Sequence, residues 1–165
     1  MRELVGAWTA RGEWVEMSGH LNEGHFLVSV SGRLLDELIS AVRALGGYSM
    51  QTMRPPVHAR RFTGLRDRIA QDVLPRYDLA DPVIPVLADQ DGRLVRTADD
   101  LRTLLLDHFD RPIDWPVTAD ALAARGVDTV HVTGPDQQFH RLRSTTSRFQ
   151  VVAVTPVTAS KPVAA

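Results

Sequence analysis

The period of the apolar positions changes several times along the chain, and each change marks an element. Residues 2–12 place Leu4, Val5 and Trp8 on one face, which predicts a short helix. Residues 14–17 read as a short strand, and 18–24, rich in turn formers, as a loop. Over 25–30, Phe26, Val28 and Val30 alternate with His25, Leu27 and Ser29, the pattern of a strand. Leu34, Leu35, Leu38, Ile39, Val42 and Leu45 fall at helical spacing over 33–45. Gly46-Gly47 ends that helix, because glycine enters the left-handed region without steric penalty. A third strand is expected over 48–53. Residues 1–53 thus read helix–strand–strand–helix–strand.

Pro55 and Pro56 fix φ and donate no backbone hydrogen bond, so they mark a boundary. Beyond it the pattern predicts a helix over 59–74, stopped by Pro75. The run Val83–Ala88 is apolar enough to be a strand buried on both faces. After a turn at 89–92, Thr97 caps a helix to Phe109 with Asp99 and Asp100 in its first turn. Another helix is expected over 116–124, a strand over 127–132, a turn at 133–136 opening a last helix, and a final strand over 148–155. Residues 54–155 therefore form a second, α/β unit. Residues 156–165 have little to bury and read as a disordered tail.

Composition narrows the function classes. Apolar residues make up 44% of the 165, enough for a core. The formal net charge is -1, so no global field draws the chain to nucleic acid or membrane, and neither is expected as a partner. There is no cysteine, which excludes disulfide and thiolate chemistry. No apolar run approaches the roughly 20 residues that span a bilayer. The first residues lack the apolar core of a secretory signal, so the cytoplasm is the expected location. His20, His25, His131 and His140 lie in no compact ligand motif, so no metal is expected, and no other cofactor is implied. Trp8, Trp14 and Trp115 read as packing residues.

Four segments, in order, resemble one family. WVEMSGHLNEGHFLVSVSG (14–32), MQTMRPPVHARRF (50–62), PVIPVLADQDGRLVRTADDLRTLLLDHFDRPIDW (82–115) and ALAARGVDTVHVTGPDQQF (121–139) are similar to consecutive segments of malonyl-CoA:acyl carrier protein transacylases and of polyketide synthase acyltransferase domains. The resemblance runs from Glu3 to Leu142 and covers the C-terminal half of that family. It implies an incomplete ferredoxin-like subdomain over 1–53, followed by the C-terminal α/β part of the acyltransferase large subdomain. The 165 residues contain no G-x-S-x-G, the motif that carries the family's nucleophilic serine. The family's carboxylate-binding arginine and oxyanion segment have no counterpart either.

The resemblance also assigns residues. His58 falls at the catalytic histidine, which takes the serine proton and later returns it. Ala59-Arg60-Arg61 follows it, where the family has a small or hydroxyl residue and then proline. Asn22 matches a loop asparagine near the family's cleft, and is equally suited to satisfy its own turn. Gly134 belongs to a turn near the backbone carbonyl that orients the family's histidine, with Asp136 suited to a helix N-cap. Arg54, Arg60, Arg61, Arg66 and Arg68 form a basic cluster around His58. It suits an acidic acyl carrier protein or the phosphate of an acyl-CoA, or is a solvated helix face.

Two functions follow as expectations. One is an acyltransferase-like fragment of polyketide or fatty-acid biosynthesis, inactive alone, with a separate chain supplying the serine. The other is a non-catalytic carrier-protein binding or scaffold module. Apolar strands cut from their neighbours also make a homodimer an expected assembly.

Overall fold

A computed structural model gives the arrangement of residues 1–50, 52, 57–133 and 138–154. It is mixed α/β, as the sequence pattern predicts. The first helix, α1 (Arg2–Ala10), is followed by the hairpin β1 (Val15–Asn22) and β2 (His25–Val30), then a single 3-10 turn and α2 (Leu35–Ala44). Both helices bury their apolar stripes against the hairpin. Trp8, Val15, Leu34 and Leu38 are the buried centre, with Leu4, Val5, Val28 and Val30 packed around them. Each such large side chain contributes roughly 1.5–3 kcal/mol by leaving water.

The segment expected to be a loop, 18–24, is mostly strand. β1 continues to Asn22, and only Glu23-Gly24 turns, with Gly24 at φ +75. Turn-forming composition yields here to tertiary packing. Leu21 is fully buried, and the Ser18 and Ser29 hydroxyls satisfy each other across the hairpin.

The third strand expected over 48–53 does not form among the described residues. Tyr48 and Met50 are exposed and unpaired, while Gln51 and Met53 lie outside the described residues. The sheet is instead completed by β5 (Ile113–Asp114), which runs parallel to β1 through Gly19↔Ile113 and His20↔Asp114. The order is β2-β1-β5, so the hairpin sheet draws its third strand from beyond the prolines.

After Val57 the chain forms a 3-10 turn, α3 (Thr63–Asp72) and a second 3-10 turn over Leu74–Arg76. The apolar run 83–88 is not one buried strand. Only β3 (Val86–Leu87) is strand, paired antiparallel with β4 (Leu94–Val95). Val83 is fully exposed and Ile84 is 76% exposed. Pro82 and Pro85 bracket them and withhold the N–H groups a sheet ladder needs, so apolarity alone did not make a strand. Gly92, at φ +67, closes the β3–β4 turn where an added Cβ would lie 2.8 Å from Ala121 Cβ.

Thr97 caps α4 (Ala98–Asp110) as expected. It accepts a hydrogen bond from Asp100 N at 3.1 Å, and the Asp100 carboxylate returns to the Thr97 N–H. α5 (Trp115–Ala123) follows β5 directly, with Pro116 in its first turn. Leu21, Ile113 and Leu142 form a second buried cluster, and Ala88, Val95 and Leu104 a third. The final strand forms as predicted: β7 (Gln150–Val154) pairs in parallel with β6 (Thr129–Thr133) over five residue pairs. Between them the described residues hold one 3-10 turn and the four-residue helix α6 (Arg143–Thr146) in place of a long last helix. Asp136 and the tail 156–165 lie outside the described residues.

Candidate active site

His58 sits where three elements meet. Its neighbour Ala59 is buried and donates its N–H to Phe109 O in the last turn of α4, at 3.3 Å. On the other side, Ser29 Oγ in β2 donates to Val57 O, also at 3.3 Å. The chain is held on both sides of His58, and His58 itself takes φ +61, the one non-glycine residue at positive φ among those described. Histidine enters this region more often than most residues, yet it still costs about 1–3 kcal/mol. What the conformation achieves is presentation. The imidazole is turned inward, and its Nδ1 is buried without a hydrogen-bond partner.

Two side chains face it. The His108 ring, in the last turn of α4, lies 5.6 Å from it, centroid to centroid. Asp89, in the turn after β3, brings Oδ2 within 3.5 Å of His108 Nε2. Its Oδ1 is buried and unpartnered. His108 Nδ1 lies 3.0 Å from Leu104 O. Burial, and then the charge of His108, push the His58 pKa below the ordinary 6.5; Asp89 and a contact with the Arg111 backbone oppose this. His108 is raised above 6.5, first by its hydrogen bond with Asp89, against the cost of burial. Burial works to raise the Asp89 carboxyl, but the His108 hydrogen bond and the two imidazoles outweigh it and hold the group below its ordinary 3.8. Among the described residues, no three His, Asp or Glu side chains converge to hold a metal ion.

An ion-pair network fastens this corner. Asp107, buried on α4, meets Arg111 at 2.7 Å and Arg93 at 3.4 Å, and Arg111 also reaches Asp91 at 3.0 Å. Beside it opens a cavity of about 230 Å³ lined by Arg2, Met17, His20, Gln90, Arg111 and Asp114, among others. Gln90 is 7% exposed, and neither atom of its amide has a partner. A second cavity of about 450 Å³ is lined by Trp14, Glu16 and Arg60 among others.

The sequence-derived candidates divide accordingly. Arg60 and Arg61 follow His58 and are exposed. Arg60 N donates to Glu16 Oε2 at 2.7 Å, and the Arg61 guanidinium stacks 5.0 Å over the Trp14 ring. Arg66 is engaged with Asp67 and Asp110. Asn22 ends β1 opposite His25, six residues and about 20 Å of strand from Glu16, so it does not share the Arg60 corner. Arg54 and Gly134 lie outside the described residues. Asp89 and His108 were missed. The first read only as part of a turn and the second as a helix position; no motif links residues nineteen positions apart.

Residues 1–53 match a family described as the VinK acyltransferase small domain. Most of the chain superimposes on solved structures of malonyl transacylases. A type II polyketide malonyl-transacylase in complex with its acyl carrier protein matches with a TM-score of 0.80 at 19% identity, over 93% of this chain and 51% of that one. The transacylase from Xanthomonas oryzae matches with a TM-score of 0.80 at 17% identity, over 95% and 51%. That from Coxiella burnetii gives 0.76 at 19%, over 92% and 48%. The fold is that of the malonyl-CoA:acyl carrier protein transacylases. The hairpin sheet with α1 and α2 corresponds to the ferredoxin-like small subdomain of these transacylases, and the chain spans about half their length. No curated protein matches the chain. Among the described residues no helix is long and apolar enough to cross a membrane.

Proposed function

We propose that the chain is the histidine-bearing part of an acyltransferase of polyketide or fatty-acid biosynthesis. His58 is the general base in this reading, and the serine comes from a polypeptide segment outside these 165 residues. The observation that carries it is the state of His58: strained at φ +61, turned inward, with a buried ring nitrogen left free, in a transacylase fold. A serine hydroxyl brought to this imidazole would pass its proton to the ring as the oxygen attacks an acyl thioester. Arg60 and Arg61 flank the cleft at the surface and suit an acidic carrier protein or the phosphate of an acyl-CoA. The transacylase complex with its carrier protein supports that partner. Gly134, Arg54 and Asn22 belong to the same proposal by sequence position alone.

The test is reconstitution. The chain, a polypeptide carrying the serine half of a transacylase, malonyl-CoA and holo-acyl carrier protein are combined, and malonyl-carrier protein is measured by mass spectrometry. Transfer that requires His58 and is lost in His58→Ala supports the reading. Transfer that survives His58→Ala contradicts it. A second reading is a non-catalytic carrier-protein binding module, which the solved transacylase complex with its carrier protein also supports. Carrier-protein binding without transfer supports it.

A further inference from the structure

The general-base reading leaves Asp89 and His108 without a role, although both face His58. Their geometry assigns one. We propose that Asp89 and His108 are positioning residues for His58: Leu104 O and Asp89 hold the His108 imidazole between α4 and the turn after β3, and His108 sets the charge state of the His58 ring. This rests on the reading of His58 as the base.

The argument begins with hydrogen-bond capacity. His108 Nδ1 lies 3.0 Å from Leu104 O, and Nε2 lies 3.5 Å from Asp89 Oδ2. A carbonyl and a carboxylate are both acceptors only. A neutral imidazole carries one N–H and can satisfy one of them, leaving two lone pairs opposed at the other. An imidazolium satisfies both. The arrangement therefore calls for a cation at His108. Its site favours one, because it lies in the last turn of α4, where the helix dipole is negative. The buried Asp107 carboxylate adds to this, although Arg111 and Arg93 already pair with it.

A cation at His108 acts on His58. The rings are 5.6 Å apart, and a second positive charge at that distance is disfavoured. His58 is also half-buried, which independently favours its neutral form. The other groups acting on it are Asp89, which favours protonation, and the Arg111 backbone, which does the same more weakly. The Asp89 carbonyl accepts the Asp114 N–H at 2.8 Å, which ties the backbone of the turn to β5. The result is a base whose neutral form is favoured, with a lone pair available, beside a histidine whose charged form is favoured.

The test is long-range proton–nitrogen NMR of the full chain labelled at histidine, followed against pH. In the wild type, His108 should carry protons on both nitrogens at neutral pH, and His58 should remain neutral below the range where free histidine titrates. His108→Gln should move the His58 midpoint up by about half a pH unit or more, the effect of removing one charge at this distance in a water-like medium. Asp89→Asn should lower the His108 midpoint. A neutral His108 at pH 7, or a His58 midpoint that does not respond to His108→Gln, overturns the proposal. Should His108→Gln fail to fold, the wild-type nitrogen resonances decide alone. The readout is independent of acyl transfer. Loss of the general-base reading through an active His58→Ala would therefore leave the NMR result standing, and the reverse.

Discussion

The Asp89 carboxylate lies against His108 Nε2 at 3.5 Å, on the side of the cleft where His58 turns a buried, unpartnered Nδ1 inward. The two histidines have pKa values displaced in opposite directions, so their effects on stability oppose each other. For His108 the folded value is raised, so its contribution is fully present below about 6.5 and is lost as pH rises through the folded value. For His58 the folded value is lowered, so stability is full above 6.5 and falls as pH drops toward the folded value. His58→Gln should leave the His108 effect unopposed, making the protein more stable at pH 6 than at pH 8. Urea denaturation at the two pH values reads this. The same or lower stability at pH 6 in that variant contradicts the assignment.

The strain at His58 has a measurable cost. Glycine relieves a left-handed φ and removes a buried nitrogen without a partner, against the greater entropy its backbone loses on folding. His58→Gly should raise stability by about 1 kcal/mol in urea denaturation while removing the proposed base. A loss of stability of similar size would show that the imidazole serves packing rather than chemistry.

Packing and capping follow ordinary rules. Thr97→Ala removes the cap of α4 and should cost about 1 kcal/mol. Leu21→Ala, in the fully buried centre shared by Ile113 and Leu142, should cost about 2–5 kcal/mol. Both are read from chemical denaturation. A Leu21→Ala cost below that of Thr97→Ala would contradict the central position of β1.

Much of this was legible in the sequence, for definite reasons. The α4 cap, the α2 stripe, β2 and β7 each carry a local signal: a capping pair, a helical period or an alternating run. The errors fall where distant residues decide. β1 extends through Ser18–Asn22 because Ser29 and the Leu21 core receive it. The run at Val83 and Ile84 fails as a strand because prolines on both sides withhold donors. The third strand beside the hairpin is Ile113–Asp114, far along the chain from the segment 48–53 whose pattern suggested one. His58 was found through resemblance. Asp89 and His108 became visible only when α4 and the β3 turn were brought together.

Val83 and Ile84, expected to lie in a strand whose unpaired edge would drive self-association, are instead an exposed apolar pair between two prolines. Light scattering at increasing concentration should show association of the chain, reduced in the double variant Val83→Asp, Ile84→Asp. A concentration-independent monomer in the wild type removes the homodimer from the account.

The central claim is a base without its nucleophile, and intact-mass spectrometry of the purified chain after incubation with malonyl-CoA tests it most directly. Without an activated serine no acyl-enzyme can form. The account predicts an unchanged mass at all incubation times; a stable malonyl adduct on any serine or threonine of this chain would contradict it.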